Sequence, residues 1–314
     1  GMLMSMCGIA GIALSPNYGL LLLSVVLIGL GSACFHPEGS KVVFLAAGKR
    51  RGLAQSIYQV GGNAGSSMQS LLTRYIFLPF GQLAALWFMF VAGAAVIVSF
   101  IVSRWYKANL QLRRKLTKSS PSSKSSAAVQ PANHGLTRRA IAVGLVLLML
   151  QMVARSTYIT FMHNYYQYYY AEAYASTLLA AQLPLFLFSI MGVVGAFVGG
   201  PLADRFGLKN VIFVSMIGAA PLALLLPYVG QIWALPLLML TGLIIMLGFA
   251  VIVVYAQMLL PGHIGMASGL TIGLSFGLGA IGAVGIGYLI DLFGLYLVFV
   301  GSSLLPLFGL FAYK

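Results

Sequence analysis

The chain has 314 residues, of which 60% are hydrophobic and only 7% charged, and it carries a net charge of +14. A soluble protein would hold about 25% charged residues, so this composition excludes a soluble globular domain and indicates an all-α, polytopic membrane protein. Basic chains often bind nucleic acid, but here Lys and Arg fall mostly in short gaps between apolar runs, which the positive-inside rule explains without such a partner.

Ten spans are predicted, at about 2–15, 19–46, 53–78, 82–104, 138–161, 176–200, 209–228, 232–258, 266–290 and 294–312. Gly1-Met2 opens almost directly onto the first run, with no basic leader, and reads as a cut end. The gaps Ser15–Tyr18, Leu78–Gln82 and Pro227–Gln231 hold no charge. Between them lie Lys49–Arg51, Arg104–Arg139 and Asp204–Lys209, with three, nine and two of the 18 Lys and Arg. That side is expected to be cytoplasmic, which places both chain ends there as well. Residues 105–137 are polar, Ser-rich and basic, and read as a flexible cytoplasmic linker in which Arg113, Arg114 and Lys115 can meet anionic headgroups. The linker separates residues 1–104, with four spans, from residues 138–314, with six. Cys7 and Cys34 lie in apolar runs and supply neither a disulfide framework nor metal spacing, and no cofactor is expected.

Polar groups inside spans carry the functional reading. His36-Pro37-Glu38 interrupts the second apolar run. An acid at a helix centre costs roughly 2.5–3.5 kcal/mol on insertion scales, so such a group reads as functional by default. The plainer alternative is a Pro-kinked helix whose Glu38 pairs with Lys41. The chain has only four acids, Glu38, Glu172, Asp204 and Asp291, and Glu38 is the one well inside a span. With His36 beside it, it is the candidate proton carrier. In the third span Gln55, Gln59 and Asn63 recur every fourth residue as one polar stripe, with Tyr58 among them, while Gly62, Gly65 and Ser66 allow close helix contact.

In the fifth span Arg155 is far from the cytoplasmic gaps, with Gln151 one turn before it. Two roles fit Arg155: bidentate recognition of a phosphonate or carboxylate, or snorkelling to the outer headgroups. Arg74, nearer the outer end of its span, reads as a snorkelling residue. His163 and the tyrosines that follow read as an aromatic interface belt. Gly199-Gly200-Pro201-Leu202-Ala203-Asp204-Arg205-Phe206-Gly207-Leu208-Lys209 reads as a helix ended by glycine and a tight charged turn, with Gly207 at a positive φ. Asp204 can accept from a helix N-terminus, and Arg205 and Lys209 can reach helix C-termini or lipid phosphate. Tyr255 and Gln257 are further pore-facing candidates. A weak repeat links Leu30-Gly31-Ser32-Ala33 to Leu247-Gly248-Phe249-Ala250, each leading across a short basic-side gap into a Gly-rich helix.

The turn GGPLADRFGLK resembles the signature loop of the major facilitator superfamily, G-x-L-x-D-R-x-G-x-K. FHPEGSKV, RRGLAQSIYQVGGNAGSS, SRWY and VYAQMLLPGHIGMASGL are similar to the fosmidomycin-resistance branch of that superfamily, bacterial drug exporters. The resemblance implies two six-helix bundles, proton-driven export, a phosphonate such as fosmidomycin as substrate, and the bacterial inner membrane as location. It implies a monomer whose partners are a small anion, protons and the bilayer. Counted back from the linker, the chain supplies four spans where the family has six, so its ten spans correspond to family helices three to twelve. The branch carries a basic residue at Arg155 and a glutamate at Met258, so no role of that acid transfers here. The glycines of the third span are a weak match to the family's antiporter motif. Uptake of an organic anion remains an alternative, as do an intramembrane enzyme and a structural or receptor protein. The four scattered histidines make no catalytic constellation.

Overall fold

The computed structural model describes residues 1–119, 138–260 and 262–313, and among these there are helices and no strands. In chain order they are α1 (Met2–Leu14), α2 (Tyr18–Ala46), α3 (Arg51–Ser67), α4 (Gln69–Leu72), α5 (Leu78–Phe80), α6 (Trp87–Ser119), α7 (Arg138–Asn164), α8 (Tyr166–Ala173), α9 (Gln182–Phe206), α10 (Leu208–Ile217), α11 (Ala219–Leu225), α12 (Gln231–Met246), α13 (Phe249–Leu259), α14 (Ile264–Phe293) and α15 (Leu295–Ser302). A π-helical turn covers Thr73–Phe77, and 3₁₀ turns cover Gln82–Leu86, Leu226–Tyr228 and Leu305–Tyr313. Seven helical stretches among the described residues are long and apolar enough to cross a membrane: Tyr18–Ala46, Gln82–Ala108, Ile141–Asn164, Gln182–Phe206, Leu208–Tyr228, Gln231–Leu259 and Ile264–Phe293. Met2–Leu14 and Leu295–Leu310 are apolar but shorter.

Three sequence expectations need correction. The third span, 53–78, is not one apolar helix: it is α3, α4, the π turn and α5 in succession, and it is absent from the membrane-long helices. Its Gln/Asn stripe and glycines lower both its apolarity and its helix propensity. The sixth span begins at Gln182 and runs through Gly199, Gly200 and Pro201 to Phe206, because those glycines lie where neighbouring helices approach closely and do not end the helix. The fourth span continues as helix to Ser119, into the stretch assigned to the linker, where Ala, Leu, Gln, Arg and Lys are good helix formers. Residues 120–137 lie outside those described, as do the side chains of Arg113, Arg114 and Lys115.

The chain divides into two compact units. One comprises residues 1–42 and 73–134, the other 43–72 and 135–314. In the first unit α1 lies close along α2: a Cβ at Gly8 would come within 2.7 Å of the Ser24 carbonyl. The side-chain amide of Gln82 donates to the Ser15 carbonyl (3.1 Å) and hydroxyl (2.8 Å), satisfying groups left free where α1 ends.

The second unit holds both large apolar clusters. One gathers Tyr158, Phe161 and Met162 of α7, the tyrosines of α8, Phe188 of α9, Leu238 of α12 and Phe299 of α15. The other gathers Leu148 and Met152 of α7, Val211 and Ile212 of α10, and most of α13. Tyr166, Tyr169 and Tyr170 are buried in the first cluster, with Tyr169 4.5 Å from the Phe299 ring centre. They therefore do not form the lipid-facing belt that their run suggested, although Tyr168 stays exposed. His163 is half-buried and its Nε2 lies 3.2 Å from the Ser189 hydroxyl. Two helix lines in this unit are interrupted, α10/α11 at Gly218 and α12/α13 at Leu247-Gly248. The turn Asp204-Arg205-Phe206-Gly207-Leu208 recurs as Asp291-Leu292-Phe293-Gly294-Leu295, with Gly207 at φ 91° and Gly294 at φ 82°, which L side chains rarely adopt.

Candidate functional site

Arg155 organises the second unit between its two apolar clusters. It is completely buried, which removes the snorkelling reading, and among the described residues it has no acidic partner. Its guanidinium reaches the interrupted helix line instead. Nη1 donates to the Ile245 carbonyl at 2.7 Å, and Nη2 donates to the Ser215 hydroxyl at 2.6 Å. Ile245 lies in the last turn of α12, where carbonyls lose their intrahelical donors. The macrodipole there carries about half a negative charge, so a cation is stabilised in place of a carboxylate. Gly248 makes room: a Cβ there would lie 2.6 Å from Nη2 and 2.8 Å from Nη1.

Part of this cation's hydrogen-bonding capacity is unused. Among the described residues Arg155 Nε is buried without a partner, and so are the Tyr158 hydroxyl and both amide atoms of Gln151. Gln151, Arg155 and Tyr158 follow the i, i+4, i+7 pattern and so share one face of α7. Unsatisfied buried donors and acceptors each cost about 1–3 kcal/mol, so this face has chemistry to offer a polar ligand. Ser215 and Tyr158 were not singled out from sequence, and Gly248 only as part of the weak repeat. Spacing from Arg155 could have found Tyr158, whereas the other two become neighbours of Arg155 only through the fold.

The charged turn is placed by a second contact. Asp204 Oδ1 accepts from the Gly52 N–H and Oδ2 from the Leu53 N–H, both at 3.0 Å. The carboxylate thus caps the first turn of α3 from another helix, using two of its four orphan donors and the positive end of the dipole. Gly52 and Gly200 permit it, since a Cβ at Gly52 would stand 2.6 Å from the Gly200 carbonyl. Arg205 lies over the Phe206 ring at 5.2 Å, and Lys209 is exposed one turn later. On α3 Gln55, Ser56 and Gln59 are buried, Tyr58 and Asn63 are half-buried, and α3 packs along α9 and meets α13. Gln257 donates to the Ser268 hydroxyl at 2.7 Å, joining α13 to α14, and Tyr255 is half-buried.

In the first unit Glu38 forms the ion pair with Lys41 that the sequence offered, a contact compatible with proton carriage. Its carboxylate is 64% exposed and pairs with Lys41 at 3.3 Å. The burial expected of it does not occur. His36 is half-buried with its ring 5.7 Å from that of Phe35. Arg74 is exposed with its guanidinium 5.4 Å from the Tyr75 ring, as a snorkelling residue requires.

Comparison with known proteins agrees with these features. The sequence profile of the Major Facilitator Superfamily matches residues 1–281. The chain is 44% identical over 313 residues to the uncharacterized MFS-type transporter YfnC of Bacillus subtilis (strain 168), covering 100% of this chain and 75% of the relative. It is 38% identical over 310 residues to the fosmidomycin resistance protein of Escherichia coli (strain K12), covering 99% and 74%. Crystal structures of FucP, one of them in the outward conformation, superpose with TM-scores of 0.69 and 0.68 at 16% and 15% identity, covering 99% of this chain and 80% and 81% of theirs. The chain belongs to the major facilitator superfamily of membrane transporters, not to an enzyme family.

Proposed function

We propose that this transporter exports a small organic anion, a phosphonate such as fosmidomycin, in exchange for protons by alternating access. The observation that carries the proposal is Arg155, a fully buried guanidinium without an acidic partner among the described residues. Its Nε–H, the Gln151 amide and the Tyr158 hydroxyl supply donors for the oxygens of such an anion. Gln55, Gln59, Asn63, Tyr58, Tyr255 and Gln257 line the rest of the path in this reading. The similarity to the fosmidomycin resistance protein supports the substrate class. The protein works as a monomer in the bacterial inner membrane with both chain ends cytoplasmic, its two bundles joined through residues 105–137. In everted vesicles fosmidomycin should be taken up under an imposed pH gradient and should dissipate it, as read by a pH-sensitive dye. A gradient insensitive to the drug would overturn the proposal.

Protons are exchanged at Glu38, with His36 assisting. Exposure suits this role if the carboxylate binds a proton from water and Lys41 releases it on protonation. Glu38→Gln is therefore expected to abolish gradient-driven export while leaving counterflow exchange of labelled drug intact, because a permanently neutral group can still cycle when loaded. Undiminished export down a pH gradient would remove Glu38 from the mechanism.

The Asp204 cap on α3 serves as the latch that must open in the cycle. Asp204→Asn keeps one acceptor but loses the second and the charge facing the dipole, worth about 0.3–1 kcal/mol and up to ~2 when partly buried. Transport should slow about three- to tenfold, with drug affinity and protein level unchanged. Equal rates for mutant and parent at matched protein level would deny the latch a role.

A further inference from the structure

A cavity of about 440 Å³ opens at the end of the second unit opposite the Asp204 turn. The connectivity places it there. It is bordered by α8, which follows the Ile141–Asn164 span, by the 227–230 link between two spans, and by α15, which follows the Ile264–Phe293 span. Its size falls within the range of small-molecule sites, about 300–1,000 Å³.

The lining has a definite chemistry. Four aromatic residues, Tyr169, Tyr174, Tyr228 and Tyr296, and one acidic residue, Glu172, are among those that line it. No Lys, Arg or His borders the cavity, and Glu172 has no ionic partner among the described residues. Two of the rings are fixed through their hydroxyls: Tyr169 donates to the Pro227 carbonyl at 3.1 Å and Tyr174 to the Val229 carbonyl at 2.9 Å. Tyr228 and Tyr296 meet edge to face, with centres 6.4 Å apart. Burial, then the neighbouring phenols of Tyr174 and Tyr296, push Tyr169 up to about 12, and burial followed by Tyr170 raises Tyr174, so both rings remain neutral. Neutral aromatic faces around a carboxylate attract a bulky, weakly hydrated cation through the ring quadrupole and the negative charge. An anion there meets the negative charge of Glu172 and no cationic side chain among the lining residues.

We propose that this tyrosine cage with Glu172 is a binding site for an alkylammonium cation of the tetramethylammonium or choline-headgroup type. The site is separate from the face of α7 that carries Arg155, and it stands whether or not that face binds an anion. Free cations and the trimethylammonium headgroups of lipids share this chemistry.

The test uses purified protein in phosphatidylglycerol nanodiscs, with saturation transfer from the protein to the methyl protons of tetramethylammonium chloride. Saturable transfer is expected, insensitive to equimolar sodium chloride. Tyr228→Leu and Glu172→Gln should each weaken binding about five- to tenfold. Both positions are exposed, so the fold tolerates the changes. Tyr228→Phe should bind as the parent does, because the ring face survives. Phosphatidylcholine nanodiscs that suppress the signal would identify a lipid headgroup as the occupant, and an unchanged signal would identify a free cation. Equal transfer in parent, Tyr228→Leu and Glu172→Gln, or equal transfer to neutral tert-butanol, would overturn the proposal.

Discussion

Arg155→Gln is expected to remove most phosphonate efflux, more than tenfold at matched protein level, whereas Arg155→Lys should retain part of it. Lysine keeps the positive charge and three donors on one nitrogen but not the planar fork, so it cannot reach the Ile245 carbonyl and the Ser215 hydroxyl from two separate nitrogens as Arg155 does. A neutral substrate should be spared by Arg155→Gln if the charge acts on the cargo. The same change leaves a buried carbonyl without its donor, at a cost of about 1–3 kcal/mol, so the melting temperature should fall by a few degrees. Gly248→Ala tests the placement of the guanidinium rather than its charge. It keeps the guanidinium but drives a methyl group into Nη1 and Nη2, and should reduce drug efflux without removing any charge. Full fosmidomycin resistance from both Arg155 variants would leave Arg155 as a stabiliser of the α12/α13 interruption and nothing more. Loss of every substrate, neutral ones included, would point the same way.

Most of the architecture was legible because long apolar runs bounded by charge permit few alternatives. Tyr18–Ala46 and Gln231–Leu259 fall within a residue of their expected limits. Glycine was misread where it had two possible meanings. Gly207 takes the positive φ expected of it, at 91°, but Gly199 and Gly200, expected to end the helix, are packing residues inside it. Sequence spacing identifies a glycine but not the helix opposite it, and the opposite helix decides its role. Burial was misread for a related reason. Glu38 and Tyr166 both lie in runs of mixed polarity, yet one faces outward and the other packs against Phe299. The repeat between Leu30–Ala33 and Leu247–Ala250 carried more than was drawn from it. A Cβ at Gly31 would come within 2.6 Å of the Gly1 carbonyl, and one at Gly248 would strike Arg155, so both glycines mark crowded points of their units.

Gly199→Val is expected to impair folding of the second unit severely. Gly195, Ala196 and Gly199 are buried on α9, and a Cβ at Gly195 or Gly199 would overlap the carbonyl of Leu243 on α12 or of Leu247 at its C-terminal cap. Gly242 answers from α12, where a Cβ would overlap the Phe188 carbonyl. The two backbones are thus in direct contact through a Gly-x-x-x-Gly face, the arrangement by which membrane helices gain dispersion energy without a hydrophobic driving force. A valine cannot be relieved by rotating a flexible neighbour, because the obstruction is backbone. The helices must separate, which also moves Leu247 and Gly248 relative to Arg155. Overpacking in cores costs about 1–3 kcal/mol and more where no rotamer escapes, so much of the marginal stability of this unit is at risk. Folded protein recovered from membranes in mild detergent should fall at least about tenfold for Gly199→Val, and several-fold for Gly199→Ala. Gly262→Ala, at a position with open space around its Cα, should be recovered like the parent. Recovery of Gly199→Val at parental levels with unchanged melting would mean that α9 and α12 do not touch backbone to backbone at this position.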